Sequence, residues 1–291
     1  MTQCSKQQQK IRKNCNPKKE KEAGIHGLFG ARGNENKDNG NKDCCKNKYL
    51  YNFLKRMRIF STNVKLNKRF WFSFISGILI LSFKYGTQKT LKANAIMGIF
   101  SVFLAMFLGY IIHLVSHHIS FVEIYKDTLN HSKYIPKSVH AINRSFLKYT
   151  FDFHDLIHHD SSINKSYFNV LMEGIQNLLF EGGVIILFFL YFQIKLVLNN
   201  EVYSINPYVV LLWMLLYTTV HLINYRLVHP NSHISHHMDY YKNLSLTDFF
   251  DLVFGSKYDE NEIQDLDHFT INVVFSVIAI IIMKELYDLL G

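Results

Sequence analysis

The segment AIMGIFSVFLAMFLGYIIHLVSHH, residues 95–118, decides how this chain is read: an unbroken apolar run, Ala95 to Val115, ends among the histidines His113, His117 and His118. A bilayer core about 30 Å thick needs about 20 helical residues, so this run is long enough to cross one. Working outward, Phe70 to Tyr85, Gly183 to Leu198 and Pro207 to Ile223 are further apolar runs, each marginal in length and needing tilt or flanking residues to span. A last run, Phe269 to Met283, is too short to assign as crossing or as lying in the interface. A single run of this kind is more often a buried core helix; repetition in one chain favours the membrane. The short polar links Gly86 to Asn94 and Asn199 to Asn206 pair the runs into hairpins. The expectation is an all-α integral membrane protein with about four transmembrane helices in two hairpins and a cytosolic, histidine-rich metal cap.

Charge is distributed as unevenly as hydropathy. Residues 1–69 hold 18 Lys+Arg and 5 Asp+Glu, net +13, whereas residues 70–291 hold 14 and 18, net −4, which together give the overall +9. Basic charge confined to a polar tail, not interleaved with aromatics on a face, excludes a nucleic-acid-binding body. Cys4, Cys15, Cys44 and Cys45 all lie in that tail, which excludes a disulfide scaffold and suits a reducing, cytosol-facing compartment. Residues 1–48, rich in Lys, Asn and Gln, have too little apolar area to offset ordering entropy and read as disordered, without the apolar centre of a secretory signal. Residues 49–69 form a basic juxtamembrane segment, 70–260 the membrane domain and 261–291 a C-terminal hydrophobic segment. The Lys/Arg bias puts Lys55 to Arg69, and with it the N-terminus, on the cytosolic side. Each hairpin then returns the chain there, so residues 113–159 and 221–268 project onto one face.

Ten of the 15 histidines fall in tight groups: His113, His117 and His118; His154, His158 and His159; His221, His233, His236 and His237. Residues three or four apart share a helix face, so His113 with His117, His154 with His158, and His233 with His236 and His237 can each converge. Adjacent histidines diverge by about 100° on an α-helix and can serve two neighbouring ions, which implies a two-metal site. Imidazole suits zinc, copper, iron and nickel alike. A structural zinc site closes at four ligands, usually with thiolates, and HExxH, GxSxG and Walker sequences are absent. A metal pair in an all-histidine field beside a membrane suggests dioxygen activation and attack on an unactivated C–H bond. Asp155, Asp160 and Asp239 flank the groups and can accept spare imidazole protons. His229 reads equally as an outer partner, a ligand or a surface residue. Glu173 sits on an amphipathic stretch suited to the interface, Glu181 before Gly182 and Gly183 marks a helix end, and Tyr240 and Tyr241 read as interface anchors.

These residues resemble the membrane-bound fatty acid hydroxylase and sterol desaturase superfamily. HLVSHH (113–118), HDLIHH (154–159) and HISHH (233–237) stand where the family has its three histidine boxes. His221 to Tyr225 is similar to the extra histidine element before the last box, and NLSLTDFFDLVFGSKYD (243–259) to the closing motif, here with Asp251, Phe254 and Gly255. The second box has three residues between its first histidine and the doublet where the family more often has two, a spacing reminiscent of the separate acyl-lipid desaturases. The resemblance implies a di-iron, O2-dependent oxidoreductase that hydroxylates or desaturates a sterol or fatty-acyl lipid at the endoplasmic reticulum. An acyl-lipid desaturase and a non-catalytic metal-binding membrane protein, with zinc in place of iron, are the competing readings. No haem-binding HPGG element and no dinucleotide-binding GxGxxG is present, so electrons must come from a separate haem protein and an NAD(P)H reductase, which Lys55 to Arg69 could dock.

Overall fold

The computed structural model describes residues 39–129, 134–159, 166–183, 195–198 and 201–291, and among these it is mostly helical. The chain divides into two units, Met1–Lys55 and Arg56–Gly291, and the histidine groups all lie in the second. Its elements are α1 (Asn39–Leu66), α2 (Lys68–Tyr85), α3 (Leu91–Ser116), α4 (Phe121–Thr128), α5 (Lys137–Thr150), α6 (Tyr167–Gln176), β1 (Lys195–Leu198), β2 (Glu201–Ser204), α7 (Pro207–Thr219), α8 (Tyr225–Val228), α9 (Asn231–Met238), α10 (Phe249–Phe254) and α11 (Thr270–Leu290). Three π-turns, His154–His158, Asn177–Glu181 and Val220–Asn224, interrupt them.

The long helices start where the sequence supplies caps. Thr90 Oγ1 accepts from Ala93 N at the head of α3, and the Asn206 side chain accepts from Tyr208 and Val209 N at the head of α7, with Pro207 in the first turn. Helices α2, α3, α7 and α11 pack on one another through Phe70, Phe74 and Leu81, Ala105, Leu212 and Leu216, and Val273 and Ile280. Their outward faces expose Phe72 and Ile75, Ile96 and Phe103, and Ile271 and Phe275. Apolar faces this extensive on the outside of a bundle belong against another apolar phase. Three helices, Leu91–Ser116, Pro207–Val228 and Asp267–Leu290, are long and apolar enough to cross a membrane. Helix α2, with Lys68, Arg69 and Lys84 at its ends, is not among them.

The apolar run Gly183 to Leu198 departs from expectation. Its last four residues are strand β1, antiparallel to β2 in the register Lys195 to Ser204 and Leu198 to Glu201. Glu201–Ser204, within the stretch expected as a short polar link, supplies the partner strand, so the end of the expected helical run is extended backbone. Residues 184–194 lie outside the described residues.

The segment after the last histidine box is folded back by one carboxylate. Asp251, fully buried, accepts from Leu244 N (2.8 Å), Ser245 N (2.7 Å), Ser245 Oγ (2.5 Å) and Ser256 Oγ (2.6 Å). Gly255 ends α10 in the left-handed region at φ 79°, which lets the chain turn back. Asn67, at the junction of α1 and α2, receives Leu266 N at 2.6 Å and donates to the Gln264 carbonyl at 2.8 Å, which ties the return of the chain to the start of the bundle.

Helix α3 approaches the π-turn at Glu181 through Gly109: a Cβ there would stand 2.6 Å from the Glu181 carbonyl oxygen. Gly109→Ala is therefore expected to cost roughly 1–3 kcal/mol through overpacking against backbone. A thermal unfolding scan in detergent checks this, and an unchanged midpoint would show that the approach is not tight.

Candidate metal centre

The π-turns bring the histidines together. In a π-turn the backbone bond runs from i to i+5, and here His159 N donates to the His154 carbonyl (3.2 Å). That places His158 and His159 both over His154: the His154 and His158 rings stack 5.0 Å apart, and the His154 and His159 Nε2 atoms are 3.1 Å apart. Two groups result. His113, His117, His154 and His236 form one and His158, His233 and His237 the other, the ligand nitrogens within each lying within 4.8 Å of one another. His159 stands between them, its ring 4.9 Å from His117 and 4.3 Å from His237, and His221 adjoins the second group 5.8 Å from His233.

The outer nitrogens of these rings are held from outside. His113 Nδ1 donates to the Leu244 carbonyl (3.0 Å), His236 Nδ1 to the Lys242 carbonyl (2.8 Å) and His221 Nδ1 to the Tyr217 carbonyl (3.2 Å). His154 Nδ1 is against Glu181, His158 Nδ1 is 3.2 Å from Glu173 and His117 Nδ1 is 3.5 Å from Asp155. A ring with its proton at Nδ1 presents a lone pair at Nε2, and the Nε2 atoms point at each other: His113 to His236 and His233 to His237 are each 3.1 Å apart. Two nitrogens about 2.1 Å from one shared ion lie about 3.0–3.4 Å apart at ordinary coordination angles. His113 and His236 both direct a proton to a carbonyl, so as neutral rings they set lone pair against lone pair at Nε2, a contact that a shared cation would satisfy. On His117 and His158, one in each group, both ring nitrogens are buried and make no hydrogen bond, Nδ1 facing Asp155 and Glu173 only at ion-pair distance. Such atoms are costly unless an unseen group satisfies them, and the donor set fits a metal ion.

Outside the membrane-crossing helices, burial with neighbouring imidazoles adding to it lowers His154, His159 and His233 well below the usual histidine value. Burial also holds His236 at about 3, against the opposing pull of the Lys242 carbonyl. Neutral imidazole is the form that binds metal. A cavity of about 10 Å³, room for one water, lies among His113, Tyr217, His221, Tyr225, His233 and His236. Aromatic rings close the rest: Tyr225 stacks on His233 at 4.2 Å and Tyr240 on His117 at 5.6 Å.

Some expected positions are elsewhere. His118 is exposed, its ring 4.7 Å from Tyr241, because it follows His117 by one residue at the helix end and so leaves that face. Asp239 accepts from Tyr241 N within its own turn and meets no imidazole. His229 caps α8 in the left-handed region at φ 50° and lines a separate cavity with Glu262, Asp265 and His268. Asp160 lies outside the described residues. Sequence reasoning missed Glu173 and Glu181 as imidazole partners, and Tyr240 as a lid on the cluster. A signal existed: both acids sit in apolar stretches, where a carboxylate is costly without a partner.

Compared with known proteins, the chain matches no protein-family description, no curated protein and no solved structure.

His236 gives the sign of the pH dependence. Its folded value of about 3 lies below the unfolded value of about 6.5, so the unfolded chain binds the extra proton. The stability this burial contributes is complete above about pH 6.5 and is lost as pH falls towards 3. Metal-stripped protein should melt at progressively lower temperature from pH 7.5 to 5, and an added divalent transition metal should raise the midpoint at pH 7.5. His158→Ala should blunt the metal effect, and equal metal stabilisation of wild type and variant would remove His158 from the centre.

Proposed function

We propose that this protein is a di-iron, O2-dependent membrane oxidoreductase that hydroxylates or desaturates a C–H bond of a sterol or fatty-acyl lipid, with its centre on the cytosolic face of the endoplasmic reticulum. The observation that carries the reading is the pairing of two inward-facing imidazole groups, one of them built on His113 and His117 at the end of a helix able to cross a membrane. His113, His117, His154 and His236 would hold one iron and His158, His233 and His237 the other, with His159 and His221 beside them. Bound iron supplies dioxygen activation, which imidazole side chains alone cannot provide.

The rest is the work of the chain's own groups. Glu181 and the carbonyls of Leu244, Lys242 and Tyr217 fix the rings of His154, His113, His236 and His221 and keep their protons at Nδ1, while Glu173 and Asp155 place a carboxylate beside His158 and His117. Asp251 holds the Leu244 carbonyl in place by gathering the amides of Leu244 and Ser245. Tyr225 and Tyr240 exclude bulk water from the imidazoles. Lys65, Lys68 and Arg69 are exposed and suit an acidic haem-protein donor, whose docking salt would weaken over a screening length of about 8–10 Å. An NAD(P)H reductase completes the supply of electrons.

Purified protein with NADPH alone is expected not to turn over, and adding the haem protein and reductase is expected to give a lipid product with one added oxygen or two fewer hydrogens by mass spectrometry. Iron removal or His158→Ala should reduce product to background. Stoichiometric zinc with no oxygen consumption under these conditions would favour a metal-binding protein, and undiminished turnover in the variant would sink the assignment of the centre.

A further inference from the structure

We propose that the two histidine groups are unequal metal acceptors, the group of His113, His117, His154 and His236 filling first and holding its ion more tightly, with Glu181 and Arg226 as the positioning residues that set the difference. The inference rests on reading these histidines as a metal pair, and not on the lipid chemistry.

The asymmetry is one of ligand number and of charge. The first group offers four imidazoles and the second three. Behind the first stand two carboxylates. Glu181, buried to 2% exposure, accepts the His154 Nδ1 proton with one oxygen and the Tyr217 hydroxyl (3.0 Å) with the other, and Asp155 is 3.5 Å from His117. Among the described residues no Lys or Arg forms an ion pair with Glu181. Its full negative charge is therefore directed at His154, making that imidazole a stronger donor. Behind the second group stands Glu173, whose Oε1 is 3.2 Å from His158 Nδ1 and whose Oε2 takes the Arg226 guanidinium at 2.6 Å. That cation neutralises the charge His158 would otherwise feel. A divalent ion thus meets Glu181, which no Lys or Arg of the described residues pairs, behind the first group, and Glu173, which the Arg226 guanidinium compensates, behind the second. In a buried setting, where charges interact more strongly than in water, this orders the two sites.

Cobalt(II) titrated into metal-stripped, full-length protein in detergent micelles, followed by ligand-field absorption and chelator competition, tests the proposal without any turnover. Two binding steps separated by at least about tenfold are expected for the wild type. Glu181→Gln should weaken the tighter step about 10–100-fold and leave the weaker one in place. Arg226→Gln, which keeps a donor for Glu173 but removes the charge, should tighten the weaker step and leave the tighter one unmoved. One unresolved step for two ions in the wild type would overturn the inequality while leaving the metal pair standing. A Glu181→Gln effect on both steps alike, as a merely structural role would give, would also overturn it, as would an unresponsive weaker step in Arg226→Gln. Failure to bind cobalt at all would overturn the metal-pair reading itself, whereas two ordered steps without lipid turnover would sink only the oxygenase.

Discussion

Neutral imidazoles crowded into one buried space must each place a proton somewhere, and for His113, His154, His221 and His236 it is directed outward, onto carbonyls and a carboxylate, away from the neighbouring rings. The rest of the structure follows from that requirement. It explains acids in otherwise apolar helices, a chain reversal anchored by Asp251 that presents the Leu244 carbonyl to His113, and π-turns that bring rings to one face. An unmatched carboxylate in such surroundings would be costly, and the imidazole behind which each stands is what makes it tolerable.

Much of this was legible in the sequence. Runs beginning at Phe70, Ala95 and Pro207 are helical, and the spacing brings His113 with His117 and His233 with His237 into common groups, but His154 parts from His158 and His236 from His233, because the π-turn at His154–His158 departs from a 3.6 period and His236 faces His113. What was hidden depends on contacts between distant segments. Glu181, followed by two glycines, has the local signature of a helix end, and only the packing of α7 against its turn shows it between Tyr217 and His154. Strand β1 is hidden for a different reason: a short apolar run has no periodicity to separate strand from helix, and its pairing with β2 decides the matter. His118 and Asp239 were misplaced by proximity in sequence, since a helix end turns consecutive side chains in different directions.

The π-turns show why histidine spacing is a soft guide to which rings meet. An added residue inside an α-helix would rotate everything beyond it by about 100° and scatter the imidazoles. The wider turn at His154–His158 absorbs the rotation locally, at the expense of regular backbone bonding. Similar turns at Asn177–Glu181 and Val220–Asn224 carry Glu181 and His221, so irregular backbone is concentrated where side chains have to be aimed.

The reach of the His113 contact has a consequence for biosynthesis. Its Nδ1 acceptor, Leu244, lies 131 residues downstream, and the link from Asn67 to Leu266 spans 199. A ribosome delivers the first two histidine boxes long before the groups that fix their rings. Until the chain through Asp251 emerges and folds back, His113 lacks both the carbonyl that takes its proton and the His236 ring that it faces. Assembly of the histidine cluster is thus a late event, and truncated or stalled chains would carry most of the histidines while lacking the segment that brings them together.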